Sequence, residues 1–549
     1  MHRGSACPKH FTQLCRALVQ TAVFLAAASA YGQTPPGPSK PSDVPTIRTT
    51  SSLVFLDVTV LDQKGRPVVT GLTQDDFLIT EDKKPQSIFS FEGPEMHINA
   101  ADREDESANG QAPVTIFVID LLNSSFEDFG FIRYSVRKYL EEQEAQLTSP
   151  AELLVIGNKS LELLQGYTRS RDDLLYALDH LGPVIPYKWQ SQSFDGERFE
   201  QSIVALQEIA LQNKGVPGRK NIVWVGYGSP NFSRHNQPEP LVRKVQQYLK
   251  ATTNMLVDAR MSLFVIYPGL HIGHFVNLSG SPPVPVSAAD AEAPPSDDEN
   301  PFADHFNFGV FVKETGGKLF YNQNDVDSEI GQSEGLGSEY YTLTYQPQDG
   351  DENGKFRRVR VTVRNQNFRV ITKTGYFAPD ARTPVDAHKR MISDLADASL
   401  SSVPFTALDL KVSDIVQHTD SQTAEFTVLL KGRDLNWRPL AKGGSATNVL
   451  LKVVSVAGGG EILASKVQDM TLSGATQNSA KLAGMVTPLP VTVRVPKNTR
   501  TVRVVVESED NGRIGTVNLD RKVIADAPST PTPVPQLKHR AKPNAPAAP

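Results

Sequence analysis

Asp120 closes the apolar run 114–119, and Asn123, Ser124 and Ser125 follow it, so four short polar side chains cluster at one chain turn. Read alone, an Asp at a strand end accepts hydrogen bonds from the turn or helix that follows. His271 and His274 have a spacing that two ligands of a transition ion could use, but no third ligand is apparent nearby. Asp349, Asp351, Asn353 and Gly354 imitate the start of a calcium-binding loop. Its twelfth position would be Arg360 instead of Glu, and the surroundings read as a hairpin, so turn chemistry is the better reading. Gly226, Tyr227, Gly228, Ser229 and Pro230 do not form the G-x-S-x-G turn of a hydrolase nucleophile, and neither a zinc-protease helix motif nor a phosphate-binding loop occurs. Tyr340, Tyr341 and Tyr345 read as strand packing. Arg357, Arg358 and Arg360 read as a solvated strand face, with contact to an anionic surface as the alternative.

The elements that must carry these residues alternate. Runs 114–119, 153–156, 221–225 and 262–267 are apolar and rich in β-branched residues, as expected of strands covered on both faces. Segments 126–142, 174–181, 199–211 and 241–257 place apolar residues at helical spacing. With a helix near 306–315 and a strand near 318–321, they predict a doubly wound, mostly parallel α/β domain over 112–335. Ligands of such sheets bind at the carboxyl ends of the strands, here the loops after Asp120, Val225 and Tyr267. Short antiparallel strands are expected on both sides, at 53–61, 77–80 and 87–91 and again at 340–345, 356–363 and 368–372. Three strands alone are marginal. Segments 47–92 and 338–378 are therefore expected to join into one small β-sandwich, with the α/β domain inserted between them. A helix near 384–399 precedes six strands that predict a C-terminal β-sandwich over 403–524. Residues 95–112 and 276–303 read as surface loops, and the Pro/Ala-rich 525–549 as a disordered tail.

Composition narrows the class. The chain has 549 residues, 39% of them hydrophobic and 21% charged, enough to bury several cores. A net charge of −5, with no strong local basic run, argues against a nucleic-acid partner. Arg3, Lys9 and Arg16 precede a short apolar stretch ending Ala28-Ser29-Ala30, which reads as a signal peptide over 1–30 with cleavage near Ala30. Losing those three cations would take the charge to −8. A flexible leader, 31–46, would follow, and no later apolar run is long enough to span a bilayer. Both cysteines, Cys7 and Cys15, lie in the segment to be removed. A secreted or periplasmic chain without disulfides, thiolate metal sites or cysteine nucleophiles is expected.

In order along the chain, Val58-Thr-Val-Leu-Asp-Gln-Lys-Gly-Arg-Pro-Val, Leu72-Thr-Gln-Asp-Asp-Phe, Gly218-Arg-Lys-Asn-Ile-Val-Trp-Val, Thr315-Gly-Gly-Lys-Leu-Phe-Tyr-Asn and Tyr340-Tyr-Thr-Leu-Thr-Tyr-Gln-Pro through Gly375-Tyr-Phe-Ala-Pro resemble the von Willebrand factor A-related proteins abundant in Acidobacteria. The resemblance covers about 47–379. It implies a von Willebrand A-type (Rossmann-like) domain in an exported bacterial protein. Metal-binding A domains carry Asp-x-Ser-x-Ser after the first strand, with a Thr and an Asp from later loops, around an ion such as Mg²⁺ or Ca²⁺. On that pattern Asp120 matches the Asp and Ser124 the second Ser, while Leu122 replaces the first. Asn123 or Ser125 could compensate. No acid occurs at 226–229, and the Thr falls on no definite residue of 183–198, where Ser191 and Ser193 are nearest. The resemblance thus implies a degenerate divalent-metal site at Asp120, Asn123 and Ser124. The partner-binding face would comprise Asp120, Asn123, Ser124, Ser125, Tyr227 and Ser229. The expected function is a non-enzymatic, adhesion-like module that binds a protein partner in the envelope or extracellular space. The alternatives are an accessory scaffold of an envelope complex and, last, a secreted hydrolase.

Overall fold

The computed structural model describes residues 53–101, 113–182, 187–230, 232–233, 237–268, 301–302, 305–306, 308–320, 325–348, 352–382 and 386–529. The signal segment, His271, His274, Asp349 and Asp351 lie outside them, as does all but the first few residues of the expected tail. The architecture is mixed α/β, with one mostly parallel sheet and several antiparallel ones. The chain divides into two units, 1–211 with 216–385, and 212–215 with 386–549.

In the first unit, β1 (Val54–Leu61), β2 (Phe77–Glu81), β3 (Lys84–Gln86) and β4 (Ile88–Glu92) precede a helix, α1 (Pro94–Ala101). The helix replaces the first part, 95–101, of the expected surface loop; the rest of that loop, 102–112, lies outside the described residues. The helix is held by His97, buried and stacked on Tyr340 with ring centroids 4.2 Å apart.

The central sheet follows. Its strands are β5 (Val114–Asp120), β6 (Gln146–Ile156), β7 (Leu161–Ser170), β8 (Lys220–Val225), β10 (Met261–Ile266) and β12 (Leu319–Phe320); a two-residue ribbon pairs β9 (Phe232–Ser233) with β11 (His305–Phe306). The sheet order is β12-β10-β8-β5-β6-β7, with β7 antiparallel to β6 and every other pair parallel. Its helices are α2 (Phe126–Glu141), α3 (Arg171–Asp179), α4 (Asp195–Gln212), α5 (Glu239–Asp258), α6 (Gly309–Glu314) and α7 (Val326–Ser338). Because strand side chains alternate, Phe117, Ile119, Val223, Val225, Phe264 and Ile266 all face one core with α2, α3 and α7. Strand order reverses between β5 and β8, so their carboxyl ends form the switch-point crevice of the sheet.

After α7 come β13 (Tyr341–Tyr345), β14 (Phe356–Val363), β15 (Arg369–Ile371) and β16 (Gly375–Phe377). They pair with the first strands. The order β15-β1-β13-β4 sets Leu56 opposite Leu343, and β16-β14-β2-β3 sets Ile79 opposite Val361. Leu56, Val58, Phe77, Ile79, Leu343, Val359 and Val361 share one core between these sheets.

A buried polar joint ties those strands to the amino ends of β8 and β10. Asp57 pairs with Arg260, whose Nε lies 3.2 Å from Asp57 Oδ2. The Thr342 hydroxyl donates to Asp57 Oδ1 at 3.0 Å. Arg219, 1% exposed, donates to Thr59 Oγ1 (3.1 Å) and Ser262 Oγ (3.0 Å). Burial would raise the Asp57 carboxyl, but Arg260 and Arg219 together hold it below the usual carboxylate range. Burial pushes His97 down to about 4.

The second unit begins its long run with a helix, α8 (Ala387–Leu400), capped by Asp386. Its strands β17 (Leu410–His418), β18 (Thr423–Lys431) and β22 (Val486–Arg494) form one antiparallel sheet. The other contains β19 (Arg438–Pro439), β20 (Ser445–Ala457), β21 (Ile462–Gly474), β23 (Thr499–Ser508) and β24 (Ile514–Asp520). Alternating residues of both, among them Phe426, Val428, Leu451, Val491 and Val504, share one core.

Candidate functional site

The crevice between β5 and β8 is where chemistry is expected, and Asp120 stands in it with no measurable exposure. Its two oxygens face three N–H donors and the Asn123 side-chain amide, whose two hydrogens are shared with other acceptors. Oδ1 accepts from the backbone N–H of Asn123 (2.9 Å) and from Asn123 Nδ2 (3.2 Å). Oδ2 accepts from Trp224 Nε1 (3.0 Å), the backbone N–H of Gly228 (2.9 Å) and Asn123 Nδ2 (3.3 Å). Burial raises the Asp120 carboxyl above its ordinary value, while the Trp224, Asn123 and Gly228 donors pull against it.

Local backbone geometry makes this possible. Gly226 has φ of +142°, and a Cβ there would lie 2.4 Å from Asp120 Cβ. Any side chain at 226 would push Asp120 out of its pocket. Gly228 has φ of +79° and aims its N–H at the carboxylate. The loop that lacks an acid thus supplies a backbone donor instead.

Asn123 extends the network. Its Nδ2 also reaches Ser202 Oγ (3.0 Å) and the Gly228 carbonyl (2.7 Å), and its Oδ1 accepts from Arg198 Nη1 (3.3 Å). Arg198 is buried in the first turn of α4 and also pairs with Asp195 Oδ1 at 2.7 Å. Ser202 donates to the Arg198 carbonyl. Ser124 Oγ is buried with no hydrogen-bond partner. Ser125 is the N-cap of α2, accepting from the Asp128 N–H at 3.0 Å while Asp128 Oδ2 accepts from its own N–H, a capping box.

The donor set does not fit a hard divalent ion, which needs free oxygen lone pairs. Asp120 and Asn123 spend theirs on N–H groups, and Arg198 brings positive charge to Asn123 Oδ1. Among the described residues no group of three His, Cys, Asp or Glu side chains is placed to hold a metal.

Most of the expected partner face is enclosed: Asp120, Asn123 and Ser124 are at most 1% exposed and Ser229 7%. Tyr227 is half-buried, its hydroxyl donating to the Pro268 carbonyl at 3.0 Å and its ring 5.5 Å from Tyr267. The physical cause is the chain beyond β8, where Phe308 packs on Trp224 at 4.8 Å and against Gly228. Ser191 and Ser193 are exposed and bond each other at 2.8 Å. Phe126, the first residue of α2, and Tyr187 are 54% and 48% exposed.

The other sequence candidates resolve simply. Asn353 Oδ1 accepts from the Lys355 N–H and Gly354 has φ of +71°, which is turn chemistry. Tyr340, Tyr341 and Tyr345 are buried, and the Tyr345 hydroxyl donates to Glu81 Oε2 at 2.5 Å. Arg357 departs from a solvated face, since it pairs with Asp82 at 3.1 Å and its side chain is 12% exposed.

Trp224, Arg198 and Ser202 were not singled out in the sequence. A buried indole needs an acceptor, and a cation in the first turn of a helix opposes the helix dipole unless something offsets it. Those were the available signals.

No protein-family model and no curated protein matches the chain. Solved structures similar in part include a VWA domain and a COPII-coat protein. The crystal structure of the SpRpn10 VWA domain is 16% identical, covers 28% of this chain and 74% of its own, and has a TM-score of 0.16. The human COPII-coat protein Sec24c is 10% identical, covers 74% of this chain and 43% of its own, and has a TM-score of 0.20. Scores this low carry nothing about site or function.

Proposed function

We propose that the chain is an exported, non-enzymatic protein-binding or adhesion-like protein of the bacterial envelope. In this reading a von Willebrand A-type domain is inserted in a small β-sandwich and followed by a C-terminal β-sandwich. The partner docks on the carboxyl edge of the central sheet, through the aromatic side chains that this edge leaves in solvent. The exposure of Phe126, at the start of the helix that follows the Asp120 turn, together with that of Tyr187, is the observation that carries it. Exposed aromatic anchors supply contact area at little entropic cost, and such residues dominate protein interfaces. The buried corner at Asp120 sets the shape of that edge and is not itself touched.

Affinity capture from an envelope extract tests this, comparing the full chain with a Phe126→Ala, Tyr187→Ala double variant. A defined partner retained by the wild type and lost by the double variant is expected. Equal capture by both would refute the aromatic face. An accessory-scaffold role through the second unit is the other reading. It is favoured by Ile462 and Val467, exposed on β21, which pairs with β20 alone. Capture lost only on deleting 403–524 would support it.

A further inference from the structure

We propose that the protein's own N–H groups take the place of a divalent cation at Asp120, so that this corner is permanently closed and its partner needs no metal-coordinating acid. An ionised carboxylate offers about four lone-pair sites. Here the Asn123 backbone N–H, the Trp224 indole and the Gly228 backbone N–H take three of them at 2.9–3.0 Å, and the Asn123 side-chain amide, shared with Ser202 Oγ and the Gly228 carbonyl, lies 3.2–3.3 Å from both oxygens. These donors are fixed by the fold. The indole belongs to the middle of a sheet, and the Gly228 amide to a loop whose positive φ admits glycine. Oxygen ligands would have to be freed one by one, each leaving a buried N–H unpaired.

The next oxygen outward is also taken. Asn123 Oδ1 faces the Arg198 guanidinium, a cation where a second positive charge would have to approach. Ser124 Oγ alone among these named oxygens is unpartnered, and one neutral hydroxyl does not hold a hard dication. The carboxylate's compensation is therefore covalently part of the chain and does not vary with ion concentration. Only the clause about the partner rests on the binding-face reading. The closure itself stands or falls on metal binding alone.

The test uses the full chain and the metals themselves. Calorimetric titration with MgCl2, CaCl2 and MnCl2 should give no saturable heat. Thermal melts in millimolar ion or in EDTA should agree, whereas occupancy at a hundred times Kd would raise the midpoint by roughly 4 °C or more. The ¹⁵N-bound indole proton of Trp224, assigned with Trp224→Phe, should be unmoved by each ion and displaced by Asp120→Asn. A one-to-one isotherm abolished by Asp120→Asn, or an indole proton that shifts saturably with Mg²⁺, would overturn the proposal. If Asp120→Asn does not fold, the wild-type indole signal across the ion titration still decides it.

Discussion

Two aspartates, one buried at the carboxyl end of the central sheet and one largely buried beside its amino end, solve the same problem in opposite ways. At the carboxyl end Asp120 is met by neutral N–H donors, and burial raises its carboxyl. At the amino end Asp57 is met by Arg260 and, farther off, Arg219, and they outweigh burial to hold it down. Neutral donors compensate a carboxylate by geometry and need every partner in place. Guanidinium partners compensate by charge, and the debt is mutual, since each buried cation then depends on the one acid. Full ionic compensation is thus spent where paired β strands meet the α/β sheet, not at the crevice where this fold class binds ligands.

The sharpest way to break this comparison is Asp57→Ala. It removes the carboxylate that Arg260 pairs with and the charge that offsets buried Arg219, and should cost about 3 kcal/mol in urea unfolding. A loss below about 1 kcal/mol would mean that the joint is not held by charge.

Acid should weaken the same joint. A histidine whose folded value is depressed resists protonation that the unfolded chain accepts, so stability falls as pH drops from about 6.5 toward 4. Asp57 adds a loss only at lower pH, below the ordinary carboxylate range. His97 accounts for a loss on the order of 2–3 kcal/mol across its window. Urea midpoints at pH 7 and 4.5 should show it, and His97→Phe should flatten it.

Trp224→Phe sharpens the other side. Removing one donor of several should cost about 1.5–3 kcal/mol, the usual worth of a hydrogen bond to a charged group, without changing the fold by circular dichroism. Smallest of all, Phe126→Ala should stay within about 0.5 kcal/mol of wild type, as its side chain is largely in solvent. A larger loss would make Phe126 a packing residue and remove it from the proposed binding face.

Legibility in the sequence followed the range of the interaction. The apolar runs of β5, β8 and β10 announce buried strands because a parallel strand is covered on both faces. Helix α2 was equally plain through its apolar spacing, which is local, whereas its Ser125–Asp128 cap was not read from the sequence. Helix α7 was missed. Three glycines, Gly331, Gly335 and Gly337, lower its intrinsic propensity, and it forms because Val326 and Ile330 pack into the core. Helix α1 was missed too, since its anchor, the stacking of His97 on Tyr340, spans most of the first unit. Asp120 stood out through its place at a strand end. What surrounds it did not, because Arg198 comes from 75 residues beyond Asn123, and Trp224 and Gly228 from 104 and 108 residues beyond Asp120.

The central claim concerns which end of the sheet carries ionic compensation. A ¹³C-detected titration of aspartate carboxyls, with Asp57 and Asp120 assigned through Asp57→Asn and Asp120→Asn, measures it directly. Asp57 should titrate below the usual carboxylate value and Asp120 above it in the same folded protein. The reverse order, or both carboxyls titrating together at the ordinary value, would contradict the account.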